Sequence, residues 1–416
     1  MIRFNSDYTE GCHPAILKRL EETNMEQTAG YGEDEYCREA AERIKAVCEA
    51  PDANVHFLVG GTQTNVTVIA SALRPYQGAI TATTGHINVH ETGAVEACGY
   101  KCLTVDTPDG KLTAEQVEKY TKAHFADESF EHMVQPKLVY ISNPTELGTI
   151  YKKAELEALY RVCRENDLYL FLDGARLGYG LACRENDLMM ADIAANTDVF
   201  YIGGTKVGAL FGEAVVITNP ELKKDFRYSI KQRGGMLAKG RLLGIQFLTL
   251  FDENRYFEIS AHAARLAEKL KDMHPKFMRF PGGCVVEGNE LTNRYQWKLS
   301  VGDITQRKAN WNRWAVHENC EENHFTSKFS HYNQTLGLGY YEYFVLCEYL
   351  GAKPLPVANV GLACQYQSTQ LVERKDPAYQ EFIQDVLDLI EFANGASDSE
   401  WGRIRAQMGH PEPFGL

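Results

Sequence analysis

Short apolar runs alternate with amphipathic stretches between about residue 54 and residue 217. Each run is rich in β-branched or aromatic residues and ends in a turn, which predicts a buried strand. The predicted strands are Val55–Val59, Cys102–Val105, Leu138–Ile141, Leu168–Leu172, Val199–Ile202 and Ala214–Ile217. Helices are predicted between them, for example over Leu112–Phe125 and Lys153–Asn166, where apolar residues recur with the helical period. This alternation indicates an α/β fold whose mostly parallel sheet is covered by helices on both faces.

Two of the predicted strands are followed directly by residues whose side chains can take part in catalysis. Leu168–Leu172 leads into Asp173-Gly174-Ala175-Arg176, and Val199–Ile202 leads into Gly203-Gly204-Thr205-Lys206. Ligands of open α/β sheets bind beyond the carboxyl ends of the strands, where both segments are placed. An amine and a carboxylate at that edge suit pyridoxal phosphate, because the amine forms a Schiff base and the carboxylate keeps the ring nitrogen protonated.

Each of these residues also has an ordinary structural interpretation. Asp173 could cap a helix with Arg176 as its surface partner, and Lys206 could be a solvated surface lysine. If Lys206 is instead buried among the neighbouring glycines, burial lowers the pKa of its amine and favours the neutral nucleophile. Arg176 would then reach the phenolate oxygen of the ring.

A glycine turn, Gly60-Gly61-Thr62, follows the first predicted strand and opens a helix predicted over 66–73. The free N–H groups of a helix start and the hydroxyl of Thr62 can hold a phosphate group. Taken alone, the segment fits an ordinary turn capped by Thr62. Its position beside the other motifs favours the phosphate site.

His86, His90 and Glu91 lie within one short segment. The spacing of the two histidines is compatible with a metal site, but a third ligand is lacking, so no metal is predicted. A histidine that lies flat on the ring of a cofactor and relays protons is the better interpretation for His86.

Composition narrows the choice of partners. The 416 residues carry a formal net charge of −13, which argues against a nucleic-acid or membrane-surface partner and favours a small-molecule substrate. The N-terminal sequence lacks the pattern of a signal peptide, and no apolar run is long enough to span a bilayer. The 11 cysteines are scattered and form no CxxC pair, so we expect reduced thiols and a cytoplasmic location.

Together the motifs resemble those of low-specificity threonine aldolases, which belong to the pyridoxal-phosphate β-eliminating lyases of fold type I. The resemblance extends from residue 1 to about residue 265. It is carried by Ser6-Asp7, Tyr31-Gly32-Glu33-Asp34, Gly61-Thr62, His86 with Glu91-x-Gly93-Ala94, Asp173-Gly174-Ala175-Arg176-Leu177 and Thr205-Lys206. It implies a fold-type I, transferase-like large domain over residues 1–270.

The resemblance also implies a role for each matching residue. Lys206 is implied as the Schiff-base lysine and His86 as the stacking histidine and proton relay. The implied cofactor-binding residues are Gly61, Thr62, His86, Asp173, Arg176, Thr205 and Lys206, and the implied substrate-binding residues are Ser6 and Tyr31. The segment 231–236 resembles a loop that reaches the cofactor phosphate of a neighbouring subunit, which implies a dimer or tetramer, although Leu237 replaces a basic residue common there.

The implied reaction is the cleavage of a β-hydroxy-α-amino acid such as threonine to glycine and an aldehyde. A β-elimination on another amino acid is the alternative that the same scaffold allows. Which of the two occurs depends on which substrate bond stands perpendicular to the ring.

From about residue 271 to residue 416 the sequence resembles part of the catalytic barrel of an arabinofuranosidase. The matching segments include 274–288, Asn293–Lys298, Asn312–Trp314, Gly339–Tyr343 and Glu400–Arg403. The segment has room for three or four of the eight strands of a (β/α) barrel. In the family that it resembles, both catalytic carboxylates lie beyond this segment, so Glu287, Glu342 and Glu391 are predicted to be structural or substrate-side groups.

We therefore predict two domains, an aldolase-like large domain over 1–270 and a partial barrel over 271–416. They are joined within a helical stretch, 264–273, that has no Gly-, Pro- or Ser-rich linker. The usual small domain of the aldolase, which carries an arginine for the substrate carboxylate, is replaced, so impaired turnover is expected. Two alternatives are a cofactor-binding remnant without turnover and a carbohydrate-active fragment without its catalytic carboxylates.

Overall fold

The computed structural model describes residues 6–272, 274–288, 290–307, 310–311, 333–334, 336–364 and 368–415. The chain divides into two compact units, Met1–Leu266 and Ala267–Leu416. Among the described residues, no helix combines the length and the apolar character needed to cross a membrane.

The first unit contains a seven-stranded sheet. Its strands are β1 (Asn54–Leu58), β2 (Gln77–Ala82), β3 (Lys101–Val105), β4 (Gln135–Ser142), β5 (Tyr169–Asp173), β6 (Val199–Gly203) and β7 (Glu213–Ile217). The spatial order is β1-β7-β6-β5-β4-β2-β3. Only β7 within this sheet runs against its neighbours, β1 and β6, so the predicted mostly parallel arrangement is confirmed.

Helices connect and cover these strands. They are α1 (Pro14–Glu22), α2 (Glu35–Val47), α3 (Gly61–Ala72), α4 (His86–Val89), α5 (Ala94–Ala97), α6 (Ala114–Ala126), α7 (Lys153–Glu165), α8 (Leu177–Ala182), α9 (Met190–Ala195), α10 (Pro220–Lys223), α11 (Phe226–Gln232), α12 (Arg241–Phe251) and α13 (Arg255–Asp272). The predicted helix over Lys153–Asn166 corresponds to α7, whose buried face carries Leu156, Leu159, Val162 and Cys163.

Alternate residues of the central strands point to opposite faces of the sheet. They pack in two separate cores, one on each face. On one face Leu170 and Leu172 of β5 pack in a cluster with Leu156 and Leu159 of α7. On the other face Phe171 packs in a cluster with Val68 and Ile69 of α3 and with Ile230 of α11. Helices thus cover both faces, as the strand pattern predicted.

β2 is the one strand of this sheet that the sequence pattern did not predict. Its sequence, Gln77-Gly78-Ala79-Ile80-Thr81-Ala82, is dominated by small residues with weak strand preference. All six residues are buried between β4 and β3. A Cβ atom on Gly78 would lie 2.8 Å from the carbonyl oxygen of Lys101, so close packing accounts for the small residues there.

The second unit is small and rich in aromatic residues. Its helices are α14 (Gly283–Glu287), α15 (Tyr340–Leu350), α16 (Tyr379–Asn394) and α17 (Glu400–Gln407), and its strands are β8 (Phe277–Phe280), β9 (Asn310–Trp311), β10 (Asn333–Gln334) and β11 (Lys353–Pro356). β8 and β11 pair in parallel, and α15 directly precedes β11 in the chain. Its buried core includes Trp297, Tyr340, Tyr343 and Phe392. The predicted motif Asn312–Trp314 lies outside the described residues.

Candidate active site

Asp173 is the last residue of β5, and its carboxylate is 4 % exposed. Tyr201 Oη donates to Oδ1 at 2.5 Å and Tyr140 Oη donates to Oδ2 at 2.5 Å. The backbone N–H of Ala175 donates to Oδ1 at 3.0 Å, and Asn65 Nδ2 donates to Oδ2 at 3.2 Å. Asp173 does not cap α8, because the cap position belongs to Arg176. A buried carboxylate held in this way keeps one orientation.

A chain of hydrogen bonds connects Asp173 to His86. Asn65 Nδ2 also donates to Glu91 Oε1 at 2.6 Å, and the same oxygen lies 2.8 Å from Nδ1 of His86. The hydrogen bond to Glu91 raises the pKa of His86 against the opposing effect of burial. The backbone N–H of His86 donates to Glu146 Oε1 at 3.0 Å. The imidazole is therefore oriented by a buried carboxylate, which leaves Nε2 for proton transfer.

Lys206 lies in the turn after β6, and its side chain is only partly buried, in contrast to the buried amine that the sequence predicted. Its Nζ lies 5.9 Å from the centre of the Tyr8 ring. The turn itself is tightly packed, because a Cβ atom on Gly203 would lie 2.2 Å from the carbonyl oxygen of Ala175. The N–H of Gly203 donates to the carbonyl oxygen of Gly174 at 2.9 Å, so the segment that leads to Lys206 packs against the segment that follows Asp173.

Glu213, the first residue of β7, forms hydrogen bonds with the turn that carries Lys206. Its carboxylate accepts from Thr205 Oγ1 at 2.9 Å and from the backbone N–H of Gly204 at 3.2 Å. Thr205 Oγ1 also accepts from the N–H of Gly212 at 3.0 Å. Burial raises the pKa of Glu213 to about 8. The hydroxyl of Thr205, predicted to bind the cofactor, is thus engaged within the chain.

The predicted phosphate cradle is the start of α3, with Gly61 as its first residue and Gly60 at the cap position. No side chain caps this helix, so the predicted alternative of a Thr62 cap is wrong. Thr62 is exposed, and a Cβ atom on Gly61 would lie 3.3 Å from Tyr201 Oη. The N–H groups at the start of α3, which no side chain caps, therefore lie next to the Asp173 network.

Ser6, Arg176, Thr205 and Lys206 line one cleft of about 880 Å³. Arg176 forms a two-point ion pair with Asp7, with Nε at 2.5 Å from Oδ2 and Nη2 at 3.2 Å from Oδ1. Ser6 Oγ is buried and has no hydrogen-bond partner among the described residues. An unpaired hydroxyl in the same cleft as an amine and a guanidinium is able to bind a carboxylate-bearing ligand.

Tyr31 lies in a different part of the first unit from Lys206. It lines a cavity of about 210 Å³ together with Arg227 and Met236. Lys231 Nζ lies 4.7 Å from the centre of its ring, and Arg227 donates to its carbonyl oxygen at 3.2 Å. Within one chain Tyr31 is therefore grouped with the segment 231–236 and not with Lys206.

Sequence reasoning missed Asn65, Tyr140, Tyr201 and Glu213 and assigned no orienting role to Glu91. The two tyrosines are strand residues whose polar tips interrupt otherwise apolar runs, and buried tyrosines usually have a hydrogen-bond partner. Parallel pairing of β4, β5 and β6 brings them to Asp173. A polar tip close to a predicted strand end was the available signal.

Comparison with known proteins bears on this arrangement. Residues 3–283 match the family described as Beta-eliminating lyase. The chain belongs to the beta-eliminating lyase family. The low specificity L-threonine aldolase of Pseudomonas sp. (strain NCIMB 10558) is 31 % identical over 275 residues, which cover 65 % of this chain and 78 % of that protein. The solved structure of Leishmania major threonine aldolase is 52 % identical, with a TM-score of 0.62, over 64 % of this chain and 77 % of that chain.

The C-terminal part of this lyase matches a different family. Residues 269–416 match the Alpha-L-arabinofuranosidase 1 domain. The extracellular exo-alpha-L-arabinofuranosidase of Streptomyces chartreusis is 42 % identical over 162 residues, which cover 36 % of this chain and 18 % of that protein. Both predicted resemblances are confirmed.

Two glutamates of that second part, Glu342 and Glu391, accept hydrogen bonds within it. Glu342 accepts from Arg307 Nη1 at 2.9 Å and Nη2 at 2.8 Å, and from the N–H of Gly339 at 2.8 Å. Glu391 accepts from the N–H of Trp401 at 3.0 Å. These contacts fit the structural role predicted for both residues.

Pyridoxal phosphate fits the site of the first unit. A buried, fixed carboxylate suits a protonated ring nitrogen, a partly buried lysine suits the aldehyde, and an uncapped helix start suits a phosphate group. The unpaired Ser6 Oγ and the buried, unpaired Asn65 Oδ1 supply further polar partners for a polar ligand.

Proposed function

We propose that the first unit is a pyridoxal-phosphate-dependent carbon–carbon lyase that cleaves a β-hydroxy-α-amino acid, threonine or a close relative, to glycine and an aldehyde. The observation that carries the proposal is the juxtaposition of the Asp173 turn and the Lys206 turn, with the His86 network attached to Asp173. Membership of the beta-eliminating lyases and the similarity to threonine aldolases support it.

In this proposal the cofactor is held by residues of four segments of the chain. They are Gly61 and Thr62 at the start of α3, His86 at the start of α4, and Asp173, Arg176, Thr205 and Lys206 after β5 and β6. When bound, pyridoxal phosphate supplies an electron sink for the electrons of the breaking bond. Thr205 acts through its hydrogen bond to Glu213, which fixes the turn that bears Lys206.

The residues of the chain supply the proton transfers and the substrate contacts. His86, oriented by Glu91 through Nδ1, takes the proton of the substrate β-hydroxyl at Nε2. Ser6 Oγ donates to the substrate carboxylate. Arg176 is held in a fixed orientation by Asp7 and faces the same cleft.

We also propose that the protein is a cytoplasmic homo-oligomer. Tyr31 and residues of the segment 231–236 line one cavity, whereas Lys206 lines a different cleft. In a dimer this group supplies Tyr31 to the substrate site of the partner.

The test starts from the full-length protein loaded with pyridoxal phosphate. We expect a visible absorption band and release of glycine and acetaldehyde from L-threonine. Lys206→Ala should abolish both, while the matched control Lys122→Ala, an exposed lysine paired with Glu118 on α6, should retain both. A colourless wild-type protein, or one that releases no glycine, would contradict the proposal.

The same preparation distinguishes the alternatives. Release of pyruvate from β-chloroalanine without glycine from L-threonine would favour β-elimination. Release of arabinose from an aryl arabinofuranoside would assign an activity to the second unit. A visible band without any product would indicate a cofactor-binding remnant.

A further inference from the structure

Tyr140 and Tyr201 hold Asp173 from the two strands that flank it. Tyr140 lies on β4 and Tyr201 on β6, on either side of β5. Each hydroxyl lies 2.5 Å from a different oxygen of the same carboxylate. We propose that this pair of tyrosines are positioning residues that set how strongly Asp173 binds the ring nitrogen of the cofactor.

The proposal rests on the number of donors around one carboxylate. A carboxylate offers about four lone-pair sites, two on each oxygen. In this chain Oδ1 accepts from Tyr201 and Ala175, and Oδ2 accepts from Tyr140 and Asn65. A ring N–H that binds Asp173 therefore shares its oxygen with donors already in place. Each shared donor withdraws charge from the carboxylate and weakens its hold on the ring nitrogen.

Both tyrosines are fixed as donors by their surroundings. Each side chain is 1 % exposed, so neither hydroxyl can exchange Asp173 for water. Burial, followed by the negative charge of Asp173, raises the pKa of both hydroxyls well above the ordinary value. The ring of Phe171 packs against both, with its centre 5.5 Å from that of Tyr140 and 6.3 Å from that of Tyr201. Neither hydroxyl can leave Asp173 without disturbing this packing.

The consequence concerns the chemistry of the proposed function, on which this inference rests. A ring withdraws electrons most strongly when its nitrogen is protonated and firmly held by an anion. The hydrogen bonds from the two tyrosines weaken the contact between Asp173 and the ring nitrogen. They therefore moderate electron withdrawal in an enzyme that must break a carbon–carbon bond.

The experiment compares two ligands of the full-length apoprotein. Pyridoxal phosphate and 1-deazapyridoxal phosphate differ only in that a C–H group replaces the ring nitrogen. The ratio of their dissociation constants, deaza over natural, reports the strength of the contact between Asp173 and the ring nitrogen. Binding is followed by isothermal titration calorimetry, so the readout does not depend on turnover.

Tyr140→Phe or Tyr201→Phe should raise this ratio by roughly tenfold, because loss of one donor makes the carboxylate a stronger acceptor. Tyr151→Phe is the matched control, since this buried tyrosine hydrogen-bonds Leu112 instead. Its ratio should equal that of the wild type. Thermal unfolding of each variant shows whether it is folded, and if one single variant is unstable, the other single variant carries the test.

An unchanged or lower ratio in both single variants, with natural cofactor still bound, would overturn the inference while leaving the proposed function intact. Equal weakening of both ligands would also overturn it, because a purely structural role affects the two alike. Failure of the wild-type protein to bind pyridoxal phosphate at all would overturn the proposed function itself.

Discussion

Nδ1 of His86 lies 2.8 Å from Oε1 of Glu91, whose side chain has no exposed surface. The histidine, by contrast, is 35 % exposed. A buried carboxylate thus orients a ring that remains open on its other side. Because Asn65 donates to both Glu91 and Asp173, the orientation of His86 and that of Asp173 are mechanically coupled.

Glu91→Gln should shift the titration of His86 to lower pH, since the hydrogen bond to Glu91 is the main cause of the raised pKa. A raised histidine pKa stabilises the fold below its ordinary value of 6.5, and this contribution is lost as pH rises through the folded pKa. The ring C–H resonances in NMR spectra, assigned with a His86→Asn variant, report the change. Glu131→Gln, on the exposed surface, should leave the titration unchanged, and an unshifted His86 in Glu91→Gln would contradict this account.

Glu213→Gln should change how stability depends on pH. The folded pKa of Glu213 is about 8 against an ordinary 4.5, so the unfolded chain releases this proton first. The wild-type protein therefore loses stability relative to the variant between pH 4.5 and about 8, and the difference is constant above that range. The titratable groups that interact with Glu213 include Asp173, Lys206, Tyr201 and Tyr256. Melting temperatures of both proteins from pH 5 to pH 9 test this, and parallel curves would refute it.

Gly203→Ala should destabilise the first unit by roughly 4 kcal/mol or more, because the added Cβ meets backbone that cannot move aside. The nearest atom, the carbonyl oxygen of Ala175, would be 2.2 Å away. Gly11→Ala is the control, with no atom within 4 Å of its Cβ. Urea unfolding followed by far-ultraviolet circular dichroism measures both changes. Equal midpoints for the two variants would show that the turn tolerates displacement.

Arg405→Lys should destabilise the second unit by roughly 3 kcal/mol, since a lysine cannot reproduce the guanidinium fork and leaves buried carbonyl groups unpaired. Arg405 is 0 % exposed and donates to the carbonyl oxygens of Phe392, Gly395, His410 and Pro411. All four tryptophans lie between residues 297 and 401, so tryptophan fluorescence follows this unit alone. Arg403→Lys, an exposed change on the same helix, is the control, and an equally small effect for Arg405→Lys would contradict the prediction.

Much of the sheet could be predicted because β-branched and aromatic runs are local signals. β2 could not, because its small residues are selected by the closeness of neighbouring strands, which no local pattern records. In the site, Asp173, Lys206, His86 and Gly61 stand out because strand ends and glycine turns mark them. Three of the four donors on Asp173, from Asn65, Tyr140 and Tyr201, come from separate segments of the chain, so their convergence depends on the tertiary fold. The pairing of Arg176 with Asp7 likewise joins residues 169 positions apart.

Helix α13 continues from Arg255 to Asp272, while the boundary between the two units falls at residues 266 and 267. Proteases cut extended, exposed chain and act poorly on intact helices. Limited digestion should therefore spare this boundary and first cleave loops within either unit. Within the described residues 255–272, the boundary between the two units therefore lies in a helix and not in an extended linker that a protease would cut first.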